Sequence, residues 1–264
     1  MSNDGKTALV ATENAGGSQF IATGNGRTDA TTDATMDAIN CVPPARPMRD
    51  SGIPWIGEIP EGWEIKPLRR LGWLANGISK GGEFFGKGYP FVSYSDVYKN
   101  DVIPAYVNGL VDTDAQERER YSVKRGDVFF TRTSETVDEI GIAAACLSDI
   151  KDSTFAGFLI RFRPITNELL PEFSKYYFRN KLVSEYFAKE LVMVTRASLG
   201  QELLKSLPVF IPSLSEQRAI ADYLDKKCAT IDALVAEKEA LIADLEAYKK
   251  SLIFEVVTGK KEVA

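Results

Sequence analysis

Pro208-Val-Phe-Ile-Pro-Ser-Leu-Ser-Glu-Gln-Arg-Ala-Ile-Ala-Asp-Tyr-Leu224 joins a short apolar run bracketed by two prolines to the start of a long heptad-patterned segment. Pro208 and Pro212 lack backbone donors and restrict φ, so Val209 to Ile211 is predicted to be a short edge or terminal strand. Ser213 or Ser215 can cap the helix that follows. Glu216 and Gln217 fall in its first turn, where their side chains satisfy unpaired N–H groups. Counted at a period of 3.5, the apolar residues Ile220, Leu224, Ile231, Leu234, Leu241, Leu245, Tyr248 and Leu252 form one narrow seam. A seam of that width is an interface for another helix. The expected fold class is therefore α+β: a globular domain over 47–212, followed by a long coiled-coil-forming helix within 213–264.

Upstream of this junction the pattern is mixed. Residues 63–75 alternate as a strand or short helix, and 77–88 read as a glycine-rich loop. Strands are predicted over 91–97, 123–131, 140–147 and 155–162. Residues 169–187 have helical spacing, with Phe173, Tyr176, Tyr177, Leu182 and Tyr186 on the apolar face and Pro171 in the first turn. A second helix is expected over 198–206. Residues 1–46 are rich in Thr, Ala, Asn, Asp and Gly and leave through a Pro-Pro-Ala-Arg-Pro run at 43–47, which reads as a disordered leader and linker.

With 264 residues and 44% hydrophobic content, the chain can bury one good core and still spare a helical appendage. No apolar run approaches the roughly 20 residues needed to span a bilayer, and residues 1–20 lack the pattern of a signal peptide, so residence in the cytoplasm is expected. Cys41, Cys146 and Cys228 are odd in number and far apart, and read as free thiols. The 32 basic residues are outnumbered by 37 acidic ones, but the excess lies outside the globular domain. Residues 46–215 hold 22 of each sign. Within them, Arg118, Arg120, Lys124, Arg125 and Arg132 are close in sequence, and such clusters can grip phosphates locally. A solvated face with Glu117 and Glu119 interleaved is the competing reading of that cluster.

Several catalytic signatures are present only in outline. Gly81-Gly-Glu-Phe-Phe-Gly-Lys87 has phosphate-loop spacing, but Gly88 stands where Ser or Thr would hold Mg²⁺, and Pro90 interrupts the helix that must follow. Asp50, Glu64 and Lys66 mimic the spacing of a metal-dependent nuclease, yet Pro67 sits badly in the strand such a site requires. The chain has no histidine, which removes Ser-His-Asp and Cys-His catalysis and histidine metal sites together. It reads as a protein that directs chemistry without performing it, with no catalytic and no metal-binding residues.

The form Pro-x-Leu-x-Glu-Gln-x-x-Ile-x-x-x-Leu from Pro212 to Leu224 resembles the conserved helical region of specificity subunits of type I restriction-modification systems. Ser51-Gly-Ile-Pro-Trp-Ile-Gly-Glu-Ile-Pro-Glu-Gly-Trp63 is similar to the start of such subunits, Gly126-Asp-Val-Phe-Phe-Thr-Arg-Thr-Ser-Glu135 to a mid-domain strand and turn, and Thr195-Arg-Ala-Ser-Leu-Gly-Gln201 to the end of a target recognition domain. The resemblance implies a DNA-recognition subunit with one target recognition domain. Its partners would be double-stranded DNA, methyltransferase subunits and optionally restriction subunits, and S-adenosylmethionine, Mg²⁺ and ATP would be bound by those partners. Candidate DNA contacts are Lys80, Lys87, Tyr94, Ser95, Arg118, Arg120, Lys124, Arg125, Arg132 and Arg196. Family members carry two recognition domains and two helical regions, whereas no second copy of the Gly126-Asp-Val or Glu216-Gln motif occurs here. A half-subunit acting as a homodimer, a truncated product or one member of a split pair are all consistent with that. The alternative function is a coiled-coil adaptor whose globular domain binds protein.

Overall fold

Val128-Phe-Phe-Thr131 is buried at every position because its two faces serve two different cores. Side chains alternate across a strand, so Val128 and Phe130 enter one apolar cluster while Phe129 enters the other. The computed structural model describes residues 46–54, 56–134, 139–190 and 197–263, and 47–264 form one compact unit. Residues 1–45 of the expected disordered leader lie outside the described residues.

In chain order the strands are β1 (Met48–Asp50), β2 (Glu58–Pro60), β3 (Glu64–Pro67), β4 (Gly72–Asn76), β5 (Phe85–Val92), β6 (Leu110–Val111), β7 (Val128–Thr131), β8 (Thr133–Ser134), β9 (Ala143–Ala145), β10 (Thr154–Phe155), β11 (Leu159–Pro164), β12 (Ala197–Ser198) and β13 (Pro208–Ile211). The helices are α1 (Tyr94–Lys99), α2 (Ala115–Arg120), α3 (Pro171–Tyr177), α4 (Lys181–Glu190), α5 (Gln201–Ser206) and α6 (Leu214–Val257). An antiparallel sheet in the order β4-β11-β7-β9 forms the centre. One of its faces is covered by α3, α4, α5 and β13 through Phe130, Phe162, Phe173, Phe178, Phe187 and Leu204. Against the other face lie Val92, Val97, Phe155 and Ile103, around a smaller sheet ordered β10-β5-β6. The result is an α+β domain with a long C-terminal helix.

Local chemistry moves several of the expected boundaries. The strand expected over 91–97 ends at Val92, because Ser93 and Asp96 form a reciprocal capping box that starts α1. Only Val128–Thr131 of 123–131 is strand. Before it, Gly126 turns the chain at φ +91°, a conformation that favours glycine, and the Asp127 carboxylate accepts the Lys124 N–H at 2.8 Å. Strand structure within 140–147 is confined to 143–145. The run at 155–162 splits into β10 and β11 around a turn closed by Leu159 N–H to the Ala156 carbonyl. The 77–88 loop is already strand from Phe85. Residues 63–75 become β3, a 3₁₀ turn (Leu68–Arg70) and β4.

The single helix expected over 169–187 is two. Asn180 caps α4 by accepting the Val183 N–H, and the neighbouring Arg179 guanidinium is drawn away to Asp101 (2.7 Å) and to the carbonyls of Asn100 and Ala143. That tertiary capture outweighs helical continuity. Of the expected apolar face, Phe173, Tyr177 and Tyr186 are buried, Leu182 is exposed, and Tyr176 turns its hydroxyl to Asp225. The helix expected over 198–206 begins at Gln201, after β12.

At the junction, β13 pairs antiparallel with β3 alone, and Ser213 caps α6 by accepting the Glu216 N–H. Tyr177 holds the ribbon by donating to the Pro208 carbonyl and accepting the Phe210 N–H, both at 3.1 Å. Its burial pushes the phenol pKa up, which keeps the donor in place. The seam expected along α6 divides into two parts. Ile220 packs on the core of its own chain, and Leu224 is half-buried. Ile231, Leu234, Leu241, Leu245 and Tyr248 are exposed, while Leu252 is half-buried.

Candidate nucleic-acid interface

Arg132 follows the last residue of β7 and Arg125 lies three residues before the first, so the two lie at opposite ends of the strand. The four strand residues between the ends span about 13 Å. The basic cluster that looks continuous in sequence is therefore divided between separate surfaces.

At the Arg132 end several chain segments converge. Arg132 N–H donates to the Phe158 carbonyl (2.9 Å), its carbonyl accepts Leu199 N–H (2.7 Å), and Tyr94 OH donates to the Thr133 carbonyl (3.1 Å). The adjoining turn is held by Gly157 N–H to the Ile78 carbonyl. Gly77 is needed there, since a Cβ would fall 2.1 Å from the Ala156 carbonyl oxygen. Asn76, at the end of β4, accepts from the Gln201 amide at 3.0 Å and so ties the start of α5 to the sheet. Among the described residues, the half-buried Arg132 side chain has no ion-pair partner, and Phe158 is 65% exposed. Tyr94 stacks on Tyr98 at 5.9 Å, and Ser95 is exposed beside it. Tyr98 OH donates to Glu139 (2.7 Å), and that carboxylate raises the phenol pKa. A cation, an apolar ring and amide and hydroxyl groups on one sheet end can meet phosphate, base face and base edge in turn.

A second surface, formed by α2 and β5, adjoins this one through residues 78–80. Lys80 ion-pairs with Glu117 at 2.6 Å, donates to the Asp112 carbonyl at 2.7 Å and lies over the Phe84 ring. Arg118 lies 3.7 Å over the Tyr89 ring, bonds the Thr113 carbonyl and is near Asp152. With side chains only 15% and 17% exposed, these two cations brace α2 on the strand. Arg120 of α2 and Lys87 of β5 are both exposed.

Lys124 and Arg125 belong to a third place. Arg125 bonds the Leu147 carbonyl and ion-pairs with Glu172, beside a groove of about 480 Å³ that Lys124, Arg163, Leu170 and Leu214 help to line. This groove faces the root of α6, away from Arg132. Behind it the buried Asp127 carboxylate takes two bonds from Arg163 at 2.6 and 2.7 Å, and Arg161 reaches the Ser122 carbonyl. Burial lowers the Arg161 pKa to about 10, with Asp127 opposing, and the group stays charged at neutral pH. Arg196 lies outside the described residues.

Phe158, Asn76 and Gln201 are not among the contacts that the sequence predicts. Gln201 closes the Thr195-Arg-Ala-Ser-Leu-Gly-Gln201 motif, but nothing local joins it to Asn76, 125 residues earlier. The nuclease-like pattern has an ordinary explanation: Lys66 pairs with Glu168 (2.6 Å) and Glu64 (2.9 Å), and Asp50 accepts the Gly52 N–H in a turn. The described residues contain no group of three Cys, Asp or Glu able to hold a metal ion, and no helix long and apolar enough to cross a membrane.

Residues 60–243 match the family described as Type I restriction modification DNA specificity domain. The chain is 26% identical over 221 residues to the type I restriction enzyme MjaVIII specificity subunit of Methanocaldococcus jannaschii, covering 79% of this chain and 48% of that protein. To the EcoKI specificity subunit of Escherichia coli strain K12 it is 25% identical over 219 residues, covering 77% and 44%. It thus spans somewhat under half the length of either relative. Its fold matches the crystal structure of the HsdS subunit from Thermoanaerobacter tengcongensis with a TM-score of 0.54 at 18% identity, over 79% of this chain and 47% of that one.

Proposed function

Because this chain belongs to the type I restriction-modification DNA specificity family, we propose that it reads a DNA sequence and directs methyltransferase and restriction subunits to it, without performing the chemistry itself. The observation that carries this reading is that one family match runs unbroken from β2 through the domain and into the projecting part of α6. The recognition domain is 47–212 and the assembly arm 213–264.

Arg132, Phe158, Tyr94 and Ser95 are the proposed contacts at the sheet end, with Lys87 and Arg120 holding phosphate alongside. Lys80 and Arg118 act by bracing that surface. Lys124 and Arg125 are the weakest candidates, because they face the helix root. S-adenosylmethionine, Mg²⁺ and ATP belong to the partner subunits in this scheme, and the complex works in the cytoplasm. The exposed apolar residues of α6 pair with a second copy or with another half-subunit, since a projecting helix with that stripe is not stable alone in water.

Electrophoretic mobility shift with and without the cognate methyltransferase tests the proposal. A sequence-specific shift that strengthens in the mixture is expected, because the balanced charge of 46–215 gives modest affinity to this subunit alone. Stable protein complexes that never shift DNA would overturn it in favour of an adaptor.

A further inference from the structure

Gln217 is fully buried in the first turns of a 44-residue helix, and both polar atoms of its amide are hydrogen-bonded. Oε1 accepts the Leu170 N–H at 2.9 Å, while Nε2 donates to the Glu168 carbonyl at 2.7 Å and the Pro212 carbonyl at 3.0 Å. These bonds tie α6 to the segment entering α3 and to its own lead-in. Beside it, Trp63 Nε1 donates to Glu216 at 3.0 Å. Eight residues on, Asp225 receives Lys175 Nζ (2.5 Å) and Tyr176 OH (2.6 Å) from α3. Eight residues are about 12 Å of helix axis, so two separate fastenings fix a direction as well as a point of attachment.

Direction matters because of leverage. From Asp225 to Val257 the helix runs about 48 Å, and a 10° change at the root moves its tip by about 8 Å, or more than two base pairs of duplex. We propose that Gln217, seconded by Asp225, is a positioning residue that sets the angle at which the arm leaves the recognition domain, and thereby the separation of the two DNA half-sites on which the assembled complex acts. The inference rests on the DNA-specificity reading.

Gln217→Leu keeps the volume and leaves three backbone groups unpaired. Asp225→Asn, on a half-exposed side chain, weakens the second fastening and keeps the test open should Gln217→Leu not fold, as judged by circular dichroism. Each variant is assembled with the cognate methyltransferase and offered a DNA library of fixed half-sites separated by spacers of every length from 3 to 12 base pairs, roughly one duplex turn. Sequencing of methylated products gives the spacer distribution and the half-site preference separately. The wild type is expected to modify one spacer length, and Gln217→Leu three or more, with half-site preference unchanged and modification at the original spacing reduced about tenfold. Asp225→Asn should broaden the distribution less. Half-site preference retained with a spacer distribution that a folded variant does not move would overturn the inference alone. Methylation by the wild type with no half-site preference would instead remove the recognition reading, and the inference with it.

Discussion

Arg132 emerges from β7 without an acidic partner among the described residues, whereas Arg125, Arg118 and Lys80 are each held by a carboxylate or a carbonyl. Arg132→Ala should therefore weaken DNA binding by the assembled complex. A phosphate contact would lower the slope of log affinity against log salt by about 1, uniformly across sequences, whereas a base contact would cost about 1–3 kcal/mol and relax one position of the site. Fluorescence anisotropy at several salt concentrations separates the two, and Arg125→Ala, assayed alongside, should change neither quantity. In the core, Phe130 is fully buried and packs edge-on against Phe178 and Phe187. Phe130→Ala should lower unfolding free energy by about 3–5 kcal/mol, measurable by urea titration. Cys146 is a third residue with a readable consequence. Burial pushes its thiol up to about 12 from an ordinary 9.0, so the folded state favours the neutral form. The resulting stabilisation is complete below pH 9 and is lost as pH rises toward 12. Native Cys146 should resist iodoacetamide at pH 8 while half-buried Cys228 is modified, with mass spectrometry of peptides as the readout.

At the level of elements, α6 is two structures in one helix. Its first four turns are fastened to the domain, and from Ile231 to Ser251 every residue is exposed. Replacing Leu234 and Leu241 with Asp places charges on the projecting stripe and should convert dimers or complexes to single chains by light scattering, leaving the fold of 47–212 intact by circular dichroism. Unchanged mass in both free and complexed protein would show that the stripe is not an interface. The fastened part responds to pH instead. Lys175 and Tyr176 hold the Asp225 carboxyl below its ordinary pKa. That contribution is present above the unfolded carboxylate pKa of 3.8 and is lost as pH falls through the lower folded value. Amide exchange in the root of α6 should accelerate below pH 3.8 relative to the central sheet, after correction for intrinsic rates.

For the whole molecule, symmetry of the assembly dictates symmetry of the target. Two identical chains about a two-fold axis would read an inverted repeat with an unread spacer, whereas an asymmetric methylated motif, mapped by single-molecule sequencing, would require a different partner domain. Deleting residues 236–242 shortens each arm by about 10 Å while rotating the remaining stripe by only about 20°, so the preferred spacer should shrink and half-site sequence should not. How much of this was legible beforehand follows from the range of the interactions involved. The capped, heptad-patterned helix carries its signal in the periodicity and capping of near neighbours, and the existence, though not the start, of the strands at 209–211 and 128–131 shows in their apolar runs and bounding turn residues, so these could be read directly. The break at 178–180 could not, because an arginine is captured by Asp101, far back along the chain. Neither could the parting of Arg125 from Arg132, the joining of Asn76 to Gln201, or the passage of Ile220 from seam to core. Those depend on which strands pair and which faces the core covers, and these pairings join residues distant in sequence, which only the folded chain brings together.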